Sequence, residues 1–317
     1  MTYNHAEKIT QCLESIDAQI TSFPFEVVIG DDFSTDNNME LIRLFINRSQ
    51  NNNITYRILE RERGGEYDQT RQKLGRLYNF INIVDHCEGK YIALLDGDDY
   101  WVDPYKLQKQ VDILESNPAL ALVYTNAKID SEEGGDYFGE PTFYAPDYPA
   151  DPLKSQHFFL QHNYAMLVVT VMFRKRDFDE PLKETMLRFA TGDFALYFML
   201  SGKGDFYYLN EVSAAYYDHV HGESKRFSKL KRDKHNYEQM DLILPYIKQE
   251  NRHLFRIYIQ KYLIRSVFNI MFRKVRQDGL QNVPLSDILF VKWKHMKFRY
   301  FYYYIKLIIG KITYRKA

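Results

Sequence analysis

Tyr91-Ile92-Ala93-Leu94-Leu95-Asp96-Gly97-Asp98-Asp99 is the stretch that decides how this 317-residue chain reads. Five successive residues are apolar or aromatic, the pattern of a strand in the middle of a parallel sheet. The run stops at three carboxylates around a glycine. Upstream, Phe25-Glu26-Val27-Val28-Ile29 is a second apolar run, and it also stops in a turn, Gly30-Asp31-Asp32. Helical stripes separate such runs. One covers Ala6 to Ile20 through Ile9, Cys12, Leu13 and Ile16; a second carries Met39, Leu41, Ile42 and Phe45 behind a Ser34 or Asp36 cap. Ile54-Tyr56-Ile58 alternates like a strand, and Leu74 to Cys87 reads as a helix closed by Gly89. Strand and helix in alternation argue for an open α/β sheet. Such sheets bind ligands at the carboxyl ends of their strands, where both acidic turns fall.

Farther along, Pro104 to Leu114 reads as a helix, and Ala119 to Tyr124 and Leu167 to Phe173 as strands. Gly134 to Pro152 reads as a long loop of the kind that often serves enzymes as a lid. Residues 225–275 look mainly helical.

Composition narrows the function. Hydrophobic residues make up 45% and charged residues 26% of the chain, which excludes disordered and collagen-like classes. Two cysteines, Cys12 and Cys87, cannot build a disulfide framework, so a reducing compartment is expected. No apolar run reaches the roughly 18 residues of a spanning helix, and the polar opening Met1-Thr2-Tyr3-Asn4-His5 is unlike a signal peptide. The net charge is zero, but residues 288–317 carry eight Lys and Arg and no Asp or Glu. The remainder then holds 34 basic against 42 acidic side chains, so a nucleic-acid binder with a general positive field is excluded.

Asp96-Gly97-Asp98 can hold one hard divalent cation, Mg²⁺ or Mn²⁺, with Gly97 letting a phosphate approach the backbone. A solvated acidic turn is the ordinary alternative. A calcium loop is excluded because Trp101 stands at its sixth position. In Thr191-Gly192-Asp193-Phe194, Asp193 reads by itself as the cap of a helix from Phe194 to Leu200. Cys12 reads as core, and Cys87 has no evident partner.

Linked motifs sharpen this. Tyr91 to Trp101 resembles the metal-binding segment of family 2 glycosyltransferases of the GT-A fold. Thr2-Tyr3-Asn4-His5 resembles their nucleotide-binding start, and Val27 to Asp36 their second strand and turn, with Asn79 ahead of Gly89 to Asp99. The resemblance spans about residues 1–224. It implies a Rossmann-like GT-A open mixed sheet flanked by helices, and inverting transfer from a nucleotide diphosphate sugar, with UDP-sugar as the donor class. Donor contacts would come from Thr2, Tyr3, Asn4, Asp32, Asn79, Asp96 and Gly97, with Asp32 on the base. Asp98 and His219 would hold Mn²⁺ or Mg²⁺. Asp193 would be the catalytic base, a role compatible with capping. Tyr216-Tyr217-Asp218-His219 departs from the family pattern, because Tyr217 replaces an arginine. Lys225 or Arg226 would substitute for it, and His221 competes with His219.

The resemblance also implies a central strand ahead of Thr2, so the chain's true start is expected upstream. It divides the chain into a GT-A domain (1–224), a helical extension (225–287) and a basic aromatic tail (288–317). The acceptor would be a glycan or lipid-linked glycan of surface polysaccharide synthesis. The site of action would be the cytoplasm, with the tail either on the anionic inner face of the plasma membrane or docked on the acidic body. The rival readings are a nucleotidyltransferase, which would release pyrophosphate, and a non-catalytic glycan-binding relative.

Overall fold

A computed structural model describes residues 1–132, 139–145, 148, 151–162, 166–219 and 229–264. The chain opens with α1 (Ile9–Asp17), β1 (Phe25–Ile29), α2 (Asn38–Arg48) and β2 (Ile54–Ile58). Next come α3 (Glu66–Leu74), α4 (Leu77–His86), β3 (Tyr91–Ala93), β4 (Tyr100–Trp101), α5 (Lys106–Ser116) and β5 (Leu120–Ser131). β6 (Leu153–Lys154), α6 (Gln156–His162), β7 (Met172–Arg174), α7 (Glu180–Met186), α8 (Gly192–Lys203) and β8 (Asp205–Asp218) follow. The helices α9 (Lys229–Gln239) and α10 (Arg252–Tyr258) come last.

β1 and β2 pair in parallel as a separate two-stranded sheet. The main sheet runs β3-β7-β5-β8-β4, with β6 also on β8. β5 is its spine: its first eight residues are buried, as the apolar run Leu120 to Tyr124 requires. It pairs in parallel with β8 and antiparallel with β7. The sheet is therefore mixed. One apolar cluster packs α4, α8 and the later helices on one face, and a second packs α1, α2 and α5 on the other. α8 is apolar nearly all round, from Ala195 to Leu200, because it is buried between α7 and the turns after α9.

Several expectations need correction. β3 is not the middle of a parallel sheet: it pairs antiparallel with β7 alone, so its apolarity reflects burial by helices. The helix expected from Leu74 to Cys87 is α4 and starts only at Leu77, because Gly75 at φ +87° ends a separate, unpredicted α3 at Leu74. Gly89 does not cap α4, whose chain turns extended at Cys87. The run Leu167 to Phe173 is a 3₁₀ turn, Val168–Thr170, followed by β7. α2 gets no cap from Ser34; the Asp36 carboxylate accepts from the Asn38 N–H instead. β5 extends seven residues past Tyr124, because β8 pairs with it along nearly its whole length.

β1 and β3 do not touch. Between their facing edges lies a cavity of about 600 Å³ lined by Phe25 to Ile29 and Tyr91 to Leu95. Close-packed interiors keep few voids of that size. Met1 and Thr2 bridge one end of it: the Thr2 N–H donates to Gly30, the Gly97 N–H to Met1, and the Met1 amino group to Leu95. The slot opens beside Met1 and Thr2, so a strand joined ahead of Met1 would run between β1 and β3. Unpaired edge groups cost about 1–3 kcal/mol each when buried. Joining an apolar, β-favouring segment of five residues, the length of β1, ahead of Met1 should raise the melting midpoint above that of an equal Gly/Ser extension. Equal midpoints in scanning calorimetry would show that the slot accepts no strand.

Candidate active site

Two strand registers build the acidic centre. β4 pairs with β8 so that Tyr100 faces Ala215 and Trp101 faces Ala214. The turn before β4 therefore lies against the end of β8. There the buried Asp99 carboxylate accepts the Tyr217 N–H at 2.8 Å. Two residues farther, His219 Nε2 reaches Asp98 Oδ2 at 3.5 Å. On the other side, His5 Nε2 lies 3.6 Å from the same oxygen. Asp98 thus sits between two imidazoles. Burial would raise its carboxyl, but the His219 hydrogen bond and the His5 charge outweigh this and hold it below the usual range. Asp96 moves up, chiefly by burial and further by the charge of Asp98. Burial and both neighbours push Asp99 well up.

His5 closes the opening Thr2-Tyr3-Asn4-His5 segment, but no metal-side role is read for it from the sequence. Its neighbour Asn4 adopts the left-handed φ of +55°, held by a hydrogen bond from the Thr35 N–H to Asn4 Oδ1. The same turn starts α1, since His5 O accepts from the Ile9 N–H. Gly97 is required here: a Cβ would lie 2.9 Å from both His5 Nδ1 and Thr2 Oγ1.

The other expected donor contacts divide. Asp32 stands past β1, gripped by Arg71, whose Nη2 is 2.7 Å from Oδ2, and by the Tyr67 hydroxyl at 3.1 Å. Tyr67 also stacks on Tyr78, and Arg61 lies 3.7 Å from its ring centre. Tyr3 is exposed. The Thr2 hydroxyl is buried and accepts from Asn38. Asn79 is also buried; its amide donates to Gly30 and accepts from Arg61. Thr2 and Asn79 therefore build the wall behind the Asp31–Asp32 turn. Arg71, 39 residues from Asp32, left no signal in the sequence.

Asp193 falls in the first turn of α8, but it does not cap the helix. Thr191 holds the cap position, and the Asp193 carboxylate accepts its neighbour's Phe194 N–H. The residue is open to solvent, yet surrounding protein desolvates its carboxylate, as on a cleft wall. That desolvation raises its pKa, against the pull of Arg232 and Arg76. Asp96 feels the charges of both Asp98 and Asp193, so the three share one electrostatic environment. Tyr217, in the place of the expected arginine, stacks on His219, with Lys8 Nζ 3.9 Å from its ring centre. His221, Lys225, Arg226 and the tail 288–317 lie outside the described residues.

A mixed sheet flanked by helices, with carboxylates gathered at strand ends, matches the GT-A fold. The family model for glycosyl transferase family 2 matches residues 1–183, and the chain belongs to that family. Asp193 and His219 lie beyond the matched residues. An uncharacterized protein of Mycobacterium tuberculosis is 29% identical over 223 residues, 70% of this chain and 58% of that protein. Chondroitin synthase of Escherichia coli is 27% identical over 282 residues, 88% of this chain and 36% of the synthase. Hyaluronan synthase of Pasteurella multocida is 26% identical over 235 residues, 74% of this chain and 21% of the synthase. The chain therefore spans little more than half, or less, of these relatives. Among solved structures, S. aureus TarS 1-349 in complex with UDP-GlcNAc shares the fold at a TM-score of 0.58 and 18% identity, over 99% of this chain and 90% of that one. The mannosyltransferase PcManGT from Pyrobaculum calidifontis, in complex with GDP-Man and Mn²⁺, aligns at 0.50 and 14% identity over 98% of this chain and 84% of its own.

Gly97→Ala should lower stability by about 1–3 kcal/mol, since a Cβ would push on the buried, hydrogen-bonded Thr2 and on His5 beside Asp98. An unchanged urea midpoint would contradict this packing.

Proposed function

We propose that this chain is an inverting, metal-dependent glycosyltransferase that moves a sugar from a UDP-sugar to a glycan or lipid-linked acceptor. The supporting observation is the acidic centre past β3, where Asp98 lies 3.6 Å from His5 and 3.5 Å from His219 and is held low, while Asp193, raised by desolvation, acts on Asp96 through its charge. Groups with separated pKa values suit separate roles.

Asp98 and His219 are the residues that would hold Mn²⁺ or Mg²⁺. An ionised carboxylate oxygen and an imidazole nitrogen suit a borderline divalent ion. Among the described residues, no three His, Cys, Asp or Glu side chains form a closed metal cage. A sparse site of this kind suits an ion that takes substrate phosphates as further ligands. When bound, the ion would offset charge building on the diphosphate leaving group. Asp32, preoriented by Arg71 and Tyr67, would accept a base N–H. Asp193 would take the proton of the acceptor hydroxyl as the new glycosidic bond forms; a single displacement needs one base.

Similarity to chondroitin and hyaluronan synthases supports a polysaccharide product. Action at an anionic membrane surface rests on the charge of residues 288–317 alone. Among the described residues, no helix is long and apolar enough to cross a membrane.

The test is UDP release, with Mn²⁺, from a panel of UDP-glucose, UDP-GlcNAc and UDP-glucuronate. Asp193→Ala should slow it by about 10²–10⁴-fold, and Asp98→Ala should abolish its metal dependence. Activity surviving both substitutions would eliminate the mechanism, and pyrophosphate release would favour nucleotidyl transfer. Asp193 must be ionised to act, and its pKa is raised. The rate should therefore climb with pH along an acid limb centred above the ordinary Asp range. A limb at or below that range would exclude Asp193 as the base.

A further inference from the structure

α9 lies outside the residues matched by the family model, yet it grips the turn that carries Asp193. Asn236 on α9 is 3% exposed, and both ends of its amide are engaged with that turn. Its Oδ1 accepts the Ala190 N–H at 3.1 Å, and its Nδ2 donates to Thr191 Oγ1 at 2.9 Å. The adjacent His235 ring contacts the Arg188 carbonyl at 2.8 Å. From the opposite side, Arg76 at the start of α4 donates to the Ala190 carbonyl at 3.0 Å.

Thr191 occupies the cap position of α8, where a threonine hydroxyl ordinarily accepts from the helix's own first turn. Here it makes no such bond and accepts from Asn236 instead. The entry to α8, and hence the direction of Asp193, is thus set by another helix. α9 itself is anchored: Tyr237 and Met240, next along the chain, are fully buried in the main core cluster. Arg232 stands four residues before Asn236, on the same helix face. Its charge acts on the Asp193 carboxylate from that side, as Arg76 does from α4.

We propose that α9 is a positioning element for the catalytic base, with Asn236 fixing the Ala190–Thr191 turn from which Asp193 projects. The proposal rests on Asp193 acting as base. A displacement of about 1 Å in such a group is enough to slow chemistry by about 10²-fold. No donor contact has been assigned to Asn236, so its loss should fall on turnover and spare donor binding.

The experiment compares Asn236→Ala, Asn236→Asp, Asp193→Ala and the double variant Asn236→Ala/Asp193→Ala with the unaltered chain, using UDP release with Mn²⁺ from the same donor panel. Asn236→Ala should lower kcat by about 10–100-fold and leave donor KM within about twofold. Asn236→Asp keeps the acceptor for the Ala190 N–H and should recover part of the loss. Because Asn236 acts through Asp193, the double variant should be no slower than Asp193→Ala alone. In hydrogen exchange, the Ala190 amide should lose protection in Asn236→Ala, with α7 and β8 unchanged. Normal kcat in Asn236→Ala, a loss confined to KM, a further loss in the double variant, or retained Ala190 protection would each overturn the proposal. An unaltered chain without transfer, or an active Asp193→Ala, would remove the base itself and this proposal with it. In the other failures the base stands and only α9's role falls.

Discussion

Like charges crowded at one strand end are the constraint on which this structure depends. Asp96, Asp98 and Asp99 follow one another in a tight turn, and two ionised carboxylates at about 4 Å repel by roughly 4 kcal/mol near a protein surface. The fold answers each separately. Asp99 is buried and takes a backbone N–H from Tyr217. Asp98 lies between His5 and His219. Asp96 is half-buried, with its carboxyl raised. These answers need the end of β8 and the start of α1 brought to the same turn. The pairing of β4 on β8 and the left-handed Asn4 accomplish that.

The same logic extends to Asp32 and Asp193, each a carboxylate with arginines nearby. Asp32 is bonded directly by Arg71 and is held as a fixed acceptor. Asp193 accepts the Phe194 N–H, while Arg76 and Arg232 act on it through their charge. That difference suits one group to hydrogen bonding and the other to proton transfer. Within the main sheet, β3 presents one edge to β7 and the other to the slot, so the acidic turn hangs on a strand braced from one side. Backbone bonds from Met1 and Thr2 to both halves keep the turn after β1 in line with the turn after β3.

Much of the site was legible because its signals are local. An apolar run that breaks into Asp-Gly-Asp-Asp declares a strand end and an acidic turn whatever the partner strands are. Gly97 could be read as a close-approach position, although what approaches it in the structure is His5 and Thr2. Asp193 as a helix cap was the weaker reading. Propensity permits it, but a bond from another helix took over the threonine that stands at the cap. Arg71 and Asn236 carry no periodic or motif signal, and His5, though part of the opening segment, meets Asp98 only across dozens of residues of chain.

The sequence alone determined the alternation of buried strands and amphipathic helices, the acidic turns at two strand ends, and hence where a ligand site had to form. These follow from hydrophobic periodicity and from the inability of adjacent carboxylates to be buried unpaired. Only the tertiary structure decided that β3 runs antiparallel to β7, that two imidazoles flank Asp98, and that α9 sets the entry to α8. Those choices depend on which surfaces meet once helices pack on the sheet, and contacts of that kind leave no period in the chain.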